Sequence, residues 1–435
     1  MIDNVTNNIS KFVCDHKGVR IQNLSSKINK EMLLEINRKM SGKKAIGIDG
    51  VHKEEYEMKL GDNINCLVER LKRDTYRPKP SKRVRIPKPG SKGKTRPLGI
   101  SCYEDKLVEA SVSKLLMAIY EPKFMEFSYG FRPQQSCHQA IGAMREKIAT
   151  RKVNYVVEVD IKSFFDTLDH EWLLKFLEHD IADKKLIRLI KKFLKSGVME
   201  NGKIMDKTEG SPQGNVMSPV LANIYLHYVL DLWFEKVVKK QLNGEGYIVR
   251  YADDFVCLFQ FENEACWFLG LLKRRLKKFG LEVSEEKTRV LEFGKYAKER
   301  RAKRGLGKPE TFNFLGFTFC CGKAKFSDEF CVWMRTDRKK FNEKLKKLRI
   351  WLKENRTLPI DKLMYKVNQS LKGHYNYYGV QTNLKRLDEF RKQVEKIIYK
   401  VLNKRSQRRS FDWDKFNRIV LKRYPLIRPR ICAYV

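Results

Sequence analysis

An α+β fold is predicted for this chain by three features of its sequence. From residue 154 onward, short β-branched runs alternate with helical periods in the order β-α-β-β-α-β, once an inserted helical segment at about 170–210 is set aside. That order makes an antiparallel sheet with helices on one face. Upstream, Arg83-Val84-Arg85-Ile86 and Arg96-Pro97-Leu98-Gly99-Ile100 flank a Pro89-Gly90-Ser91-Lys92-Gly93 turn, the pattern of a basic β-hairpin. Downstream, Phe341, Leu345, Leu348 and Leu352 recur at helical spacing and mark a separate helical unit.

Taken in order, residues 1–75 read as mainly helical, interrupted by the glycine-bearing turn Ala45-Ile46-Gly47-Ile48-Asp49-Gly50-Val51. Residues 76–150 carry the hairpin. The 151–330 region starts with Tyr155-Val156-Val157-Glu158-Val159-Asp160, a β-branched strand ending in a carboxylate. A helix is predicted over 216–240, with Leu221, Ile224, Tyr225 and Val229 on its apolar side. Strands at 247–251 and 255–260 are separated by Ala252-Asp253-Asp254. An amphipathic helix at 262–279 and a strand at 288–293 follow. Residues 294–310, rich in Lys, Arg and Gly, read as a basic loop, and 336–435 as the helical domain.

Charge narrows the class of partner. The 435 residues include 90 Lys+Arg against 52 Asp+Glu, a formal net charge of +38. Self-repulsion at that level opposes compaction, so a polyanionic partner is expected. From residue 337 on, 28 basic residues face 9 acidic ones, which concentrates half of the excess in the helical domain. No run is long and apolar enough to span a membrane. The N-terminus lacks the apolar run of a secretory signal, and a cytoplasmic location without a membrane partner is expected. The ten cysteines include no Cys-x-x-Cys, and the one local cluster (Cys320, Cys321, Cys331) has no histidine close to it, so reduced thiols are expected rather than a zinc site.

The acidic residues that end strands carry the chemistry. Mg²⁺ takes hard carboxylate oxygens, and two such ions serve phosphodiester synthesis well. Asp160 at one strand end and Asp253-Asp254 between two others would meet if their strands are neighbours, as the β-α-β-β-α-β order predicts. Taken alone, two turn aspartates are ordinary, and a four-residue motif matches by accident.

The surrounding blocks change that. Tyr251-Ala252-Asp253-Asp254 resembles the signature of reverse transcriptases, and four further blocks stand in that family's order: Asp160-Ile161-Lys162-Ser163-Phe164-Phe165-Asp166, Ser211-Pro212-Gln213-Gly214-Asn215-Val216-Met217-Ser218-Pro219, Gly280-Leu281-Glu282-Val283 through Lys287, and Phe314-Leu315-Gly316-Phe317. Gly47-Ile48-Asp49-Gly50-Val51, Tyr129-Gly130-Phe131-Arg132-Pro133 and Leu371-Lys372-Gly373-His374-Tyr375-Asn376-Tyr377-Tyr378-Gly379 are similar to group II intron reverse transcriptases, or maturases. The chain resembles their shorter, endonuclease-lacking subclass.

The resemblance implies a right-hand polymerase. Residues 1–75 would be an N-terminal extension and the start of the fingers, 76–150 fingers, 151–330 an antiparallel palm, and 336–435 an all-helical thumb/maturase domain. It implies that Asp160, Asp253 and Asp254 hold two Mg²⁺ ions (Mn²⁺ as a substitute), with Asp254 serving more to shape and charge the site. Lys88 and Arg96 would grip the incoming dNTP, or else the template. Phe165 would exclude a ribose 2′-hydroxyl, with Phe164 in the core. Gln213 and Gly214 would lie against nucleotide or template, Lys287 would protonate the departing pyrophosphate, and Phe314–Phe317 would press on the primer. The implied partners are structured intron RNA and an RNA template with a DNA primer or DNA target. In the helical domain, Arg405, Arg408 and Arg409 would contact RNA, with many of the aromatics in the core. Two other readings stay open: a catalytically silent RNA-binding splicing factor, and a reverse transcriptase domesticated for defence.

Overall fold

The computed structural model describes residues 2–87, 95–200, 202–205, 210, 214–324, 327–405 and 411–434. Lys88, the turn at 89–93, Gln213, Arg408 and Arg409 lie outside the described residues.

The N-terminal region is helical, as its periodicity requires: α1 (Ile2–Asp15), α2 (Lys30–Lys39), α3 (Lys53–Glu57) and α4 (Leu60–Lys72). Asn29 starts α2 by accepting the Met32 N–H at 3.0 Å, filling one of the free donors at a helix start. The basic hairpin forms from β1 (Ser81–Pro87) and β2 (Thr95–Ile100), in register from Lys82↔Ile100 to Pro87↔Thr95. Next, α5 (Tyr103–Tyr120) is buried nearly all round, as befits a helix at the middle of a large core. A capping box of Ser136 and Gln139 starts α6 (Cys137–Thr150).

Then come β3 (Tyr155–Asp160) and the inserted helices α7 (His170–Asp180) and α8 (Lys184–Leu194), capped by Asp169 and Asp183. Two short strands follow, β4 (Val198–Glu200) and β5 (Lys203–Met205). β4 pairs in parallel with β1, which extends the hairpin to a four-stranded sheet, β2-β1-β4-β5. The helix predicted over 216–240 is not uniform. It runs as α9 (Ser218–Leu226), then widens into π turns at His227–Asp231 and Phe234–Val238. β6 (Gly246–Tyr251), β7 (Asp254–Phe259), α10 (Glu262–Lys278) and β8 (Arg289–Glu292) complete the central sheet, whose order β6-β7-β3-β8 is antiparallel throughout.

Both faces of that sheet are covered. Val157, Val159, Phe255, Cys257 and Phe259 pack into the core that contains α9 and α10, while Val156, Val256 and Leu258 point the other way. The sequence reading placed helices on one face and left the second undescribed. That face is closed by α6 and a three-stranded antiparallel sheet of β9 (Phe312–Phe314), β10 (Phe317–Lys323) and β11 (Phe330–Thr336). Burial on both sides explains why β3 and β7 read as nearly continuous apolar runs.

One expectation needs correction: within 294–310, residues Ala297–Lys303 form a helix, α11. Arg300 and Arg304 both reach back to Glu292, at 2.8 Å for Arg300, and this anchors the helix to the end of β8. The last region has a core of its own, built by α12 (Arg338–Glu354), α13 (Ile360–Tyr378) and α14 (Leu384–Leu402), with the short α15 (Trp413–Phe416) alongside. His374 and Tyr375 are buried in this unit, whereas Trp413 stays 44% exposed, stacked 4.1 Å from Tyr399. No described helix is long and apolar enough to cross a membrane.

Candidate active site

β3 and β7 are hydrogen-bonded neighbours, and their register pairs Asp160 with Asp254. Directly opposed residues share a face of the sheet, so these two carboxylates stand together, with Asp253 beside them in the β6–β7 turn. The sequence reading gives Asp254 the part of shaping and charging the site, and the register sets it directly opposite Asp160. Electrostatics agree. Desolvation of its carboxyl group, then the charges of Asp253, Asp160 and Glu158, push the Asp254 pKa up to about 7, although the residue as a whole is exposed at the start of β7. Asp253 is also raised, by burial and by Asp160, against the opposing pull of Arg96 and Arg250. Neighbouring negative charge that pushes Asp253 and Asp254 up at a strand end suits a hard divalent cation, which would relieve that repulsion. Among the described residues, no three acidic, His or Cys side chains converge into a single ligand cluster. Asp160 turns instead to Lys287, whose Nζ lies 2.9 Å from its Oδ2.

Local structure delivers the remaining residues. The segment after α10 pairs with the end of β3, with the Ser284 N–H donating to the Asp160 carbonyl at 2.7 Å and the Lys162 N–H to that of Glu282 at 2.8 Å. This is what brings Lys287 to Asp160. Past β3 the chain turns through Ser163 at φ +48° into a 3₁₀ turn, Phe164–Asp166. That turn buries Phe164 and leaves Phe165 half-buried beside it. Arg96, exposed on β2, acts electrostatically on Asp253. Gly214, at φ +107°, sits so close to β2 that a Cβ would lie 2.7 Å from the Gly99 carbonyl oxygen; only glycine fits there. Within the segment Phe314–Phe317, the rings of Phe314 and Phe317 are buried in the core at 1% exposure each. What reaches the site is the turn between them. Leu315 (φ +48°) and Gly316 (φ +78°) join β9 to β10 in two residues, the geometry of a type I′ hairpin. The Leu315 N–H donates to Asp254, and Tyr377 on α13 donates to the Leu315 carbonyl at 2.9 Å.

Comparison with known proteins decides the family. Residues 86–319, more than half the chain, match the family model described as reverse transcriptase (RNA-dependent DNA polymerase). The chain is 31% identical over 413 residues to the group II intron-encoded protein LtrA of Lactococcus lactis subsp. cremoris, covering 78% of this chain and 67% of the relative. The chain belongs to the group II intron reverse transcriptase/maturase family. It is also similar to protein YkfC of Escherichia coli (31% identical over 329 residues, 67% of this chain and 84% of the relative). An uncharacterized 91 kDa protein in the cob intron of Schizosaccharomyces pombe matches at 34% over 223 residues, 51% of this chain and 27% of the relative.

Two contacts that support the aspartate turn and the strands around it are not evident from the sequence. Gly130 lies against the aspartate turn: a Cβ there would stand 2.2 Å from the Ala252 nitrogen and 2.8 Å from the Tyr251 carbonyl carbon. The second is a pair of buried carboxyls one turn apart on α5. Asp105 accepts the Lys79 N–H at 3.1 Å, just before β1, and Glu109 accepts the Val216 N–H at 2.9 Å and the Ser101 hydroxyl at 2.7 Å. Glu109 thereby ties the end of β2 to the segment after Gly214. Acids at i and i+4 on a helix are the only trace of this in the sequence, and that spacing is common on exposed faces.

Glu109 gives a pH prediction. Burial pushes its pKa up from 4.5 to about 7, so the folded state holds its proton more tightly than the unfolded chain does. Folding stability from this group is therefore greatest below pH 4.5 and falls as pH rises through 7. Glu109→Gln, which keeps an acceptor for Val216, should gain on wild type by on the order of 2–3 kcal/mol between pH 5 and pH 8. Paired thermal melts across that range check it, and a pH-independent difference would refute it.

Proposed function

We propose that this chain is an RNA-directed DNA polymerase that also binds structured intron RNA and supports the splicing and mobility of its intron. The observation that carries the reading is the pairing of Asp160 with Asp254 beside Asp253, inside a chain of the reverse transcriptase family. In this reading 76–150 serve as fingers, 151–330 as palm and 336–435 as thumb and maturase domain. Two Mg²⁺ ions held by Asp160, Asp253 and Asp254 would activate the primer 3′-hydroxyl and steady the leaving pyrophosphate.

The chain's own residues do the rest. Arg96, with Lys88, meets the triphosphate of the dNTP, where its guanidinium neutralises charge that grows on the leaving group. Phe165, set half-buried by the 3₁₀ turn, occupies the space a 2′-hydroxyl would need. Gly214, with Gln213, lets the backbone approach the nucleotide. Lys287 releases Asp160 and gives a proton to the departing pyrophosphate. The Lys and Arg residues of α12–α14, with Arg405, Arg408 and Arg409, hold the RNA backbone.

Primed DNA synthesis on an RNA template tests this. Purified protein should extend a DNA primer with dNTPs in Mg²⁺, stop on chelation, and bind RNA with an affinity that falls steeply with salt. Tight RNA binding with no extension in Mg²⁺ or Mn²⁺ would refute the polymerase and leave a silent splicing factor.

A further inference from the structure

Beneath the aspartate turn lies a buried ion pair that the proposed chemistry does not use. Arg250 and Asp231 are both 0% exposed, and their side chains meet in a bidentate fork, Nε to Oδ1 at 2.8 Å and Nη2 to Oδ2 at 2.5 Å. Arg250 Nη1 donates further, to Asn223 Oδ1 and to the Ala252 carbonyl, each at 3.0 Å. Asn223 in turn donates to the Gly130 carbonyl at 2.6 Å. The backbone of Arg250 is fixed as well, its carbonyl accepting from the Tyr129 N–H at 2.8 Å and its N–H donating to the Phe127 carbonyl at 2.9 Å.

Stability alone is a poor reason for such a pair, because a buried ion pair replaced by apolar residues is often no less stable. Its geometry is aimed instead at one peptide. Ala252 stands at φ +57°, a left-handed conformation that is costly for a residue with a Cβ. The carbonyl that Arg250 grips belongs to the Ala252–Asp253 peptide plane, so its orientation fixes where the Asp253 side chain starts. Asp231 is aimed by a π turn, His227–Asp231, a helix irregularity frequent at functional sites. His227, buried in the same turn with its Nδ1 4.0 Å from Asp231, adds no competing charge, since burial lowers its pKa to about 4.

We propose that Arg250 is a positioning residue for the divalent-ion site: with Asp231 and Asn223 it holds the strained Ala252 peptide and so directs the Asp253 carboxylate. This rests on the polymerase reading above. The guanidinium fork is essential to it, since a lysine ammonium cannot serve Asp231, Asn223 and the Ala252 carbonyl together.

The test compares wild type, Arg250→Lys and Asn223→Ala by Mn²⁺ binding to the RNA-free protein, by the Mg²⁺ dependence of primer extension, and by RNA affinity. Arg250→Lys should bind Mn²⁺ at least about tenfold more weakly and lose about a hundredfold in kcat, with part of the loss recovered at high Mg²⁺. The KM for dNTP and the affinity for RNA should stay near wild type. Asn223→Ala, which leaves the Arg250–Asp231 pair in place, should move Mn²⁺ affinity in the same direction by a few-fold, and it decides the matter if Arg250→Lys does not fold. A variant with a lowered melting temperature but unchanged Mn²⁺ affinity and kcat would overturn the proposal, leaving the pair purely structural. Failure of wild type itself to bind Mn²⁺ or extend a primer would overturn the polymerase reading instead, a failure visible before any variant is made.

Discussion

Asp253→Asn should reduce RNA-templated primer extension by about a thousandfold or more, equivalent to at least about 4 kcal/mol of lost transition-state stabilisation. The amide is isosteric but uncharged, so the turn and the Arg250 grip on Ala252 should survive while the charge proposed to hold a metal disappears. RNA binding should stay within about twofold, because the cations that would meet phosphate lie on α12–α14, outside this turn. The melting temperature should hold or rise, since burial and Asp160 both penalise the Asp253 charge in the folded protein. Gel-resolved extension alongside filter binding measures both quantities. Substantial DNA synthesis by the variant would sink the metal assignment.

Gly130→Ala should be nearly as damaging, although Gly130 bears no chemistry. Its added methyl would meet backbone atoms of Tyr251 and Ala252 at 2.2–3.0 Å, and backbone cannot swing aside as a flexible side chain would. Either the 127–130 segment peels from β6 or the aspartate turn moves. A shift of about 1 Å at reacting groups costs on the order of a hundredfold in rate, and forced overpacking destabilises by about 1–3 kcal/mol. Single-turnover extension and thermal melting would read these separately. Wild-type rate together with wild-type melting would show that the contact is loose and that the turn is not held from this side.

How much of this was legible in the sequence depended on distance along the chain. Asp160 at a strand end and Asp253-Asp254 between two strands were readable because each motif is contiguous and the β-α-β-β-α-β order makes their strands neighbours. The basic hairpin was readable for the same reason. The parallel pairing of β4 with β1 was not, since more than a hundred residues separate them and three-residue strands leave no period to detect. The β9–β11 sheet appeared only as an apolar block around Phe314 and Phe317, and periodicity could not say whether those rings face core or ligand. Helix α11 reads as loop in the sequence because Lys, Arg and Gly dominate 294–310, and its tie to Glu292 exists only in three dimensions. Arg250 looked like a charged residue in a strand, and nothing local announces that Asp231, on a π turn, neutralises it.

The turn at Leu315–Gly316 bears on when the centre comes into being during synthesis. Its amide steadies Asp254, and Tyr377 holds the turn in place, so the aspartate corner needs parts drawn from Gly130 through to Tyr377. A ribosome adding about 5–20 residues per second takes roughly ten to fifty seconds to travel from the first of these to the last. Through that interval the aspartate turn lacks the Leu315 amide and the Tyr377 hydroxyl that steady it in the folded protein. The corner is therefore completed late, after an interval set by the order of the segments along the chain.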